Sequence, residues 1–163
     1  MLQFADGGQL ATRTVIVASG VRVRRLPVPG LEQFENTCVY YAATPIGEGG
    51  RLEAVVKDTV TGERQRLPAR DLMVFIGGVP STSWLPDTVA LDSGGYVLTG
   101  PDARRAKEQG ESGGPDPLLL ETSLPGVFAA GDVRSGSVKR VASAAGEGAM
   151  AVRMVHEHLA ATR

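Results

Sequence analysis

The strongest constraint on the fold lies near the end of the chain, where a short apolar segment leads into Gly131 and Asp132. Residues 127–130 are apolar, which predicts a short buried strand that ends at this Gly-Asp pair. From about residue 137 to 162 apolar residues recur three and four positions apart, which predicts an amphipathic helix with Ser137 as its N-cap. This order of strand, polar loop and helix is typical of open α/β sheets, which bind ligands beyond the carboxyl ends of their strands.

A second buried strand is predicted at residues 14–20, an apolar and β-branched run that ends in small residues. We expect both faces of this strand to be covered, as in a parallel sheet. Residues 100–117 are rich in Gly, Pro and charge and predict a mobile surface loop. Turn residues predict hairpins around residues 6–8, 61–63 and 93–95, and a further buried strand is expected at residues 72–76.

Length and composition narrow the class of protein. The 163 residues suffice for one domain or two small ones, and 42% hydrophobic with 21% charged residues is ordinary for a globular protein. A net charge of -1 gives no electrostatic case for nucleic acid or an anionic membrane. No apolar run approaches a membrane span and the first residues lack a secretory pattern, so we expect a cytoplasmic protein. The single cysteine, Cys38, excludes an internal disulfide, a CxxC pair and a cysteine-based zinc site.

Three short motifs match functional patterns but lie in the wrong context. Residues 146–151 fit the dinucleotide pattern G-x-G-x-x-A inside a helical segment, where the glycines are expected to let the helix closely approach something flat or a sheet. Residues 110–114 fit the G-x-S-x-G pattern of hydrolases, yet they lie in a polar loop instead of a strand-to-helix turn. His156 and His158 project roughly 200° apart on a helix, so they are not expected to share a metal ion.

Asp132 is the residue that the pattern alone marks for chemistry. At the carboxyl end of a strand its carboxylate would accept hydrogen bonds from ligand hydroxyls, and the following helix N-terminus would favour negative charge. The alternative is that Asp132 caps a helix or stabilises a turn. Residue chemistry alone leaves both interpretations open.

The chain also resembles a known family. Residues 122–133, continued by 138–152, closely resemble the C-terminal flavin motif of thioredoxin-reductase-like enzymes, which are FAD- and NADPH-binding pyridine nucleotide-disulfide oxidoreductases. Residues 14–20, 39–44 and 50–84 resemble further segments of the same enzymes. The resemblance implies an α/β fold: a partial, three-layer, Rossmann-like FAD/NAD(P)-binding domain with antiparallel hairpins and a long C-terminal helix.

The resemblance also implies which residues would contact the cofactor. Asp132 would bind the ribityl chain, Gly131 would let that chain approach, and the backbone of Val133 would help hold the flavin. The helix start would meet the pyrimidine edge of the isoalloxazine, where the family commonly has Arg-Gln-Ala and this chain has Lys-Arg-Val. The full set of implied cofactor-binding residues is Ser19, Gly20, Gly131, Asp132, Val133, Lys139, Arg140 and Val141.

Several parts of the family pattern are missing from this chain. No G-x-G-x-x-G follows a predicted strand, and the redox CxxC expected near residues 41–44 is absent. The resemblance divides the chain into an FAD-domain remnant at 1–44, a closing NADPH-domain hairpin at 45–80 and the C-terminal FAD part at 81–163. We therefore expect an FAD-dependent, NAD(P)H-linked oxidoreductase that is incomplete and inactive alone, with an unknown electron acceptor. A parallel FAD-domain sheet without its first strands exposes apolar edges, which predicts a homodimer or a complementing chain. The alternative to the oxidoreductase is a non-catalytic remnant or interaction module.

Overall fold

The computed structural model describes residues 1–41, 52–108 and 116–162. The chain divides into two compact units: unit 1 comprises Met1–Arg22 with Val79–Arg163, and unit 2 comprises Val23–Gly78. The family resemblance places domain boundaries after residues 44 and 80. In the structure the chain passes from unit 1 to unit 2 between residues 22 and 23 and returns between residues 78 and 79. Strands β4 (Val21–Val23) and β9 (Gly78–Pro80) lie where the chain passes from one unit to the other.

A parallel strand pair lies at the centre of unit 1. Strand β3 (Val15–Val17) pairs with β10 (Val127–Ala129), so two segments more than a hundred residues apart in sequence lie side by side. The core beside them contains Val17, Val97 and Val133, each at most 2% exposed. The prediction that β3 is buried on both faces is wrong, because Ile16 points to the opposite face from its neighbours and is 37% exposed.

Hairpins form where the sequence predicts them in unit 1. Strands β1 (Leu2–Gln3) and β2 (Gln9–Leu10) are antiparallel, and the Asp6 carboxylate accepts the Gly8 N–H at 2.9 Å in the turn between them. The hairpin predicted around residues 93–95 is present but reduced to a single antiparallel bridge between Leu91 and Val97.

Helix α1 (Gly100–Glu108) replaces much of the loop predicted at residues 100–117, and residues 109–115 lie outside the described part of the chain. Tertiary contacts explain this correction. Ala103 is fully buried, and the Gly100 N–H donates to the Glu121 carbonyl at 2.8 Å. Gly and Pro at the start of a segment are therefore compatible with a helix that is anchored elsewhere.

The C-terminal part of unit 1 follows the predicted order of elements. Strand β10 leads into one 3-10 turn, Gly131–Val133, and helix α2 spans Val141–Ala161. The prediction that Ser137 caps this helix is wrong: the N-cap is Arg140, which has an extended backbone and forms no side-chain capping bond. The Ser137 hydroxyl instead accepts a hydrogen bond from Lys139.

Unit 2 contains a small core around Cys38, Val39 and Val74. Its elements are a 3-10 helix (Leu31–Phe34), the parallel pair β5 (Val39–Tyr40) and β8 (Leu72–Met73), and the predicted antiparallel hairpin β6 (Leu52–Lys57) and β7 (Arg64–Ala69). The buried strand predicted at 72–76 is observed only as β8, which pairs with the two residues of β5, and Phe75 is 69% exposed.

The fold class predicted from the sequence is confirmed. The described residues form an α/β structure with parallel strand pairs, antiparallel hairpins and a long C-terminal helix. Among these residues no helix combines the length and apolar character that crossing a membrane requires.

Candidate functional site

The carboxyl ends of β3 and β10 define the candidate site. Because the two strands are parallel neighbours, the residues that follow them lie at the same edge of the sheet. Ser19 and Gly20 follow β3, and Gly131 and Asp132 follow β10. Gly20 has φ 64° and Gly131 has φ 75°, left-handed values that glycine adopts without the penalty of a Cβ atom. The structure thus brings together two pairs of residues that the resemblance assigned to one cofactor.

Glu147 of helix α2 holds the turn at Gly131. Its Oε2 atom accepts the Gly131 N–H at 2.7 Å, and its carboxylate forms an ion pair with Arg134, whose Nε lies 3.2 Å from the same oxygen. A Cβ atom built on Gly131 would lie 3.3 Å from the Cβ of Ala144, so the turn and the helix are also in close contact. Glu147 is not among the residues predicted for the site, because its contact with Gly131, 16 residues earlier, depends on tertiary structure.

The protonation of Glu147 supports this role. Burial raises its pKa, but hydrogen bonds from Arg134 and the Gly131 N–H, with the charges of Arg134 and Lys139, lower it further. The net result is a pKa below the ordinary value. Glu147 is therefore ionised at neutral pH, which strengthens the hydrogen bonds that it accepts.

Asp132 is half-buried, and its carboxylate makes no hydrogen bond or ion pair with any of the described residues. It does not cap a helix: the 3-10 turn has Ala130 as N-cap and α2 has Arg140, and neither helix start has a side-chain capping bond. The capping interpretation of Asp132 is therefore not what the structure shows. A carboxylate without a partner beside a helix start is available to accept hydrogen bonds from a ligand.

The start of α2 is open to solvent. Val141 is 89% exposed, and the exposed side chain of Arg140 forms no hydrogen bond or ion pair with the described residues. The first N–H groups of a helix lack partners within the helix and carry a partial positive charge. The helix start is thus accessible to an anionic or electron-rich group.

Three of the implied cofactor-binding residues already form hydrogen bonds within the chain: Ser19, Val133 and Lys139. Lys139 Nζ donates to the carbonyl of Asp132 and to the hydroxyl of Ser137, both at 2.7 Å. Val133 is fully buried and its carbonyl accepts a backbone hydrogen bond at 3.0 Å. The Ser19 hydroxyl donates to the Ser81 carbonyl at 2.8 Å. These three residues maintain the shape of the site edge.

Asp92 is a second residue that sequence analysis missed. Its carboxylate accepts N–H groups of Gly94 at 2.8 Å and Tyr96 at 3.0 Å, and the Ser135 hydroxyl at 2.7 Å. Burial raises the pKa of Asp92, but these hydrogen bonds outweigh that effect and leave the pKa below its ordinary value. An Asp at the start of a Gly-rich turn is a recognisable turn signal, whereas the contact with Ser135 depends on tertiary structure.

The remaining motif candidates acquire no function from the structure. The 146–151 match lies within α2, and Cβ atoms on Gly146 or Gly148 would meet nothing within 4 Å, so the expected close approach to a sheet is wrong. His158 Nδ1 lies 3.1 Å from the Glu121 carboxylate, while His156 is exposed. The 110–114 match lies outside the described residues. Within the described ranges, no three His, Cys, Asp or Glu side chains are grouped to hold a metal ion.

Comparison with known proteins identifies the relatives of the chain. No family model matches it. The thioredoxin reductase of Eremothecium gossypii is 35% identical over 138 residues, covering 82% of this chain and 37% of the relative. The mitochondrial thioredoxin reductase 1 of Arabidopsis thaliana is 38% identical over 139 residues, covering 83% of this chain and 32% of the relative.

A solved structure supports the fold independently. The thioredoxin reductase from Giardia duodenalis aligns with a TM-score of 0.67 over 96% of this chain and 69% of that one. At 18% sequence identity this similarity shows the fold alone. The chain spans about a third of the length of the curated thioredoxin reductases that it matches. By the sequence that it shares with these relatives, the chain belongs to the thioredoxin-reductase-like family.

Proposed function

We propose that this chain holds the flavin end of FAD in an NAD(P)H-linked oxidoreductase. The observation that carries the proposal is the half-buried, unpartnered carboxylate of Asp132 at the carboxyl edge of β3 and β10. A ribityl chain presents hydroxyl groups, and an ionised carboxylate accepts hydrogen bonds from hydroxyls. The exposed start of α2 adds a partial positive charge that favours an electron-rich ring.

The residues present fit the flavin end of the cofactor. Gly20 has no atom within 4 Å of a Cβ built on it, so this side of the edge is open to a ligand. Gly131 and Asp132 would contact the ribityl chain, and Arg140 and Val141 would face the ring. The flavin supplies two-electron transfer when bound, and the protein supplies orientation and charge stabilisation.

The same residues do not fit a pyrophosphate. A pyrophosphate is bound where a glycine-rich turn leads from a strand into a helix N-terminus. The match at residues 146–151 lies inside α2, where backbone N–H groups are used within the helix. We therefore propose that the 163 residues by themselves bind the flavin without a pyrophosphate cradle and do not oxidise NADPH.

Flavin titration tests the proposal. Because only the flavin end is held, FMN and FAD should bind with similar dissociation constants, measured from the change in the fluorescence of each flavin on binding. Asp132→Asn should weaken both by about 10- to 100-fold, since a hydrogen bond to a charged group contributes about 1.5–3 kcal/mol. Asp87→Asn, an exposed aspartate in the same unit, is the matched control. Equal affinities of wild type and Asp132→Asn would contradict the proposal.

Consumption of NADPH tests the proposal that the 163 residues do not oxidise it. Wild-type protein with saturating FAD should show no NADPH consumption above that of free FAD. Reproducible turnover by the 163 residues would show that a nicotinamide site exists that the described residues do not reveal.

A second candidate function, a non-catalytic interaction module, is favoured by one observation. Large apolar side chains are exposed in both units, among them Val141 at 89% and Phe75 at 69%. Exposed apolar groups favour association with another chain when they lie together. Protein that gains no thermal stability from FMN or FAD, but associates as its concentration rises, would favour this candidate.

A further inference from the structure

The ammonium group of Lys139 is committed to the loop that carries Asp132. It donates to the Asp132 carbonyl at 2.7 Å, the Ser137 hydroxyl at 2.7 Å and the Arg134 carbonyl at 3.4 Å. An ammonium group has three N–H donors, so these three acceptors use all of them. No donor of Lys139 is left for a ligand in this arrangement.

The ring of Tyr96 forms a platform under the same ammonium group. Lys139 Nζ lies 4.5 Å from the centre of the ring, within the range of a cation–π interaction. The ring and the three oxygens together surround the charge. This arrangement keeps Lys139 in place although its side chain begins at an exposed position.

The segment that carries Tyr96 is itself bound to the loop. The Val97 N–H donates to the Val133 carbonyl at 3.0 Å, and the Ser135 N–H donates to the Val97 carbonyl at 2.9 Å. Asp92 accepts the Ser135 hydroxyl at 2.7 Å. Tyr96 is therefore presented to Lys139 by a segment that pairs with residues on both sides of Arg134.

From these contacts we propose that Lys139 is a positioning residue, with Tyr96 as its platform, and does not itself contact the bound flavin. The contact at the helix start that the proposed function gives to Arg140 stays with Arg140. Lys139 fixes the Asp132 carbonyl and thereby the backbone that carries the Asp132 carboxylate. Arg140 has no hydrogen-bond or ion-pair partner among the described residues and lies at the open helix start. The assignment to flavin rests on the proposed function, whereas the role of Lys139 in the loop does not.

Hydrogen exchange of the flavin-free protein tests the positioning role. Lys139→Met keeps an unbranched side chain of similar length and removes the ammonium group, so amide exchange at Ser135 and Val97 should quicken by about tenfold through local opening. Arg153→Met, an exposed change on α2, is the control and should leave this exchange unchanged. Tyr96→Leu removes the ring under the ammonium group and should behave like Lys139→Met. Unchanged exchange in Lys139→Met would overturn the proposal.

Flavin titration of the same variants separates the two basic residues. Arg140→Met should weaken FMN binding about tenfold with wild-type hydrogen exchange, and the loss should shrink at high salt. Lys139→Met should weaken binding together with faster exchange, and Lys139→Arg should restore both because it retains the charge on the ring. Weaker binding in Lys139→Met with normal exchange would show direct ligand contact and overturn the assignment.

The proposed function fails separately from this assignment. If neither wild type nor any variant binds FMN or FAD, the flavin site is wrong and the role given to Arg140 falls with it. The exchange results for Lys139 and Tyr96 still support or overturn the positioning role, because they are measured without flavin.

Discussion

Single residues at the candidate site divide into those that shape it and those left open to a ligand. Glu147 and Lys139 form their hydrogen bonds within the protein, to the turn at Gly131 and to the loop after Asp132. The side chains of Asp132 and Arg140 make no hydrogen bond or ion pair with the described residues. Polar side chains at protein surfaces are often solvated. Asp132 and Arg140 are candidates for ligand binding because they lie at a strand end and at a helix start, where α/β sheets bind ligands.

Replacement of Glu147 by glutamine is expected to destabilise unit 1 by about 1–3 kcal/mol, because the partly buried Arg134 loses its charged partner and Gly131 a strong acceptor. The free energy of unfolding is measured in urea by the fluorescence of Trp84, the single tryptophan, which lies in unit 1. Glu157→Gln, at an exposed position of the same helix, is the control. An equal, small loss in both variants would show that the ion pair contributes no net stability.

The same carboxylate predicts a pH dependence. The pKa of Glu147 in the folded protein lies below its ordinary value of 4.5, so the unfolded chain binds the proton first as the pH falls. The stabilisation by Glu147 is therefore fully present above about pH 5 and is lost as the pH falls through the lowered pKa. The difference in unfolding free energy between wild type and Glu147→Gln should be constant from pH 7 to 5 and shrink below it. A difference that grows on acidification would contradict the direction of the shift.

At the scale of elements, the site depends on the parallel pair β3 and β10 and on helix α2. Pairing brings Ser19–Gly20 and Gly131–Asp132 to one edge, and the contact between the turn and α2 fixes the second pair. The hairpin residues from Asp92 to Val97 form hydrogen bonds with the loop that leads from Asp132 to α2. The geometry of the site therefore comes from contacts between elements that are distant in sequence.

Two glycine-to-alanine substitutions contrast the turn with the helix. Gly131→Ala places a Cβ atom on a left-handed residue 3.3 Å from Ala144, which should destabilise unit 1 by about 1–2 kcal/mol. Gly146→Ala lies inside α2 with open space around it and should stabilise by about 0.5–1 kcal/mol, because alanine is the better helix former. Urea unfolding followed at Trp84 measures both. Effects of the same sign would show that these backbone environments are not as described.

At the scale of the whole molecule, the described part of the chain contains five two-stranded sheets, and many of its apolar side chains are accessible. A two-stranded sheet leaves strand edges and faces open, which favours association. The homodimer or complementing chain expected from the sequence stays a prediction, which the oligomeric state in solution tests.

Sedimentation velocity is therefore expected to show a species larger than one chain that grows with protein concentration. Val141→Ser together with Val152→Ser removes apolar groups that are 89% and 50% exposed on α2 and should reduce the association. Phe75→Ser, a change in unit 2, is the comparison that locates the surface. A single sedimenting species of one chain at all concentrations would contradict the expectation.

The sequence alone determined the elements whose causes are local. The apolar run before Gly131, the 3.6-residue period of α2 and the turn residues of the β1–β2 and β6–β7 hairpins lie within short segments, and the structure confirms them. The family resemblance rested on the same local segments, and comparison with known proteins confirms it.

Only the tertiary structure decided the features whose causes are distant. Helix α1 forms in a Gly- and Pro-rich segment in which Ala103 is buried. Helix α2 begins at Val141, after a loop whose Ser137 hydroxyl accepts a hydrogen bond from Lys139 and caps no helix. Likewise, no local pattern shows that Glu147 binds the Gly131 turn 16 residues earlier. Local propensity amounts to fractions of a kcal/mol per residue, so burial and hydrogen bonds between distant segments prevail wherever the two conflict.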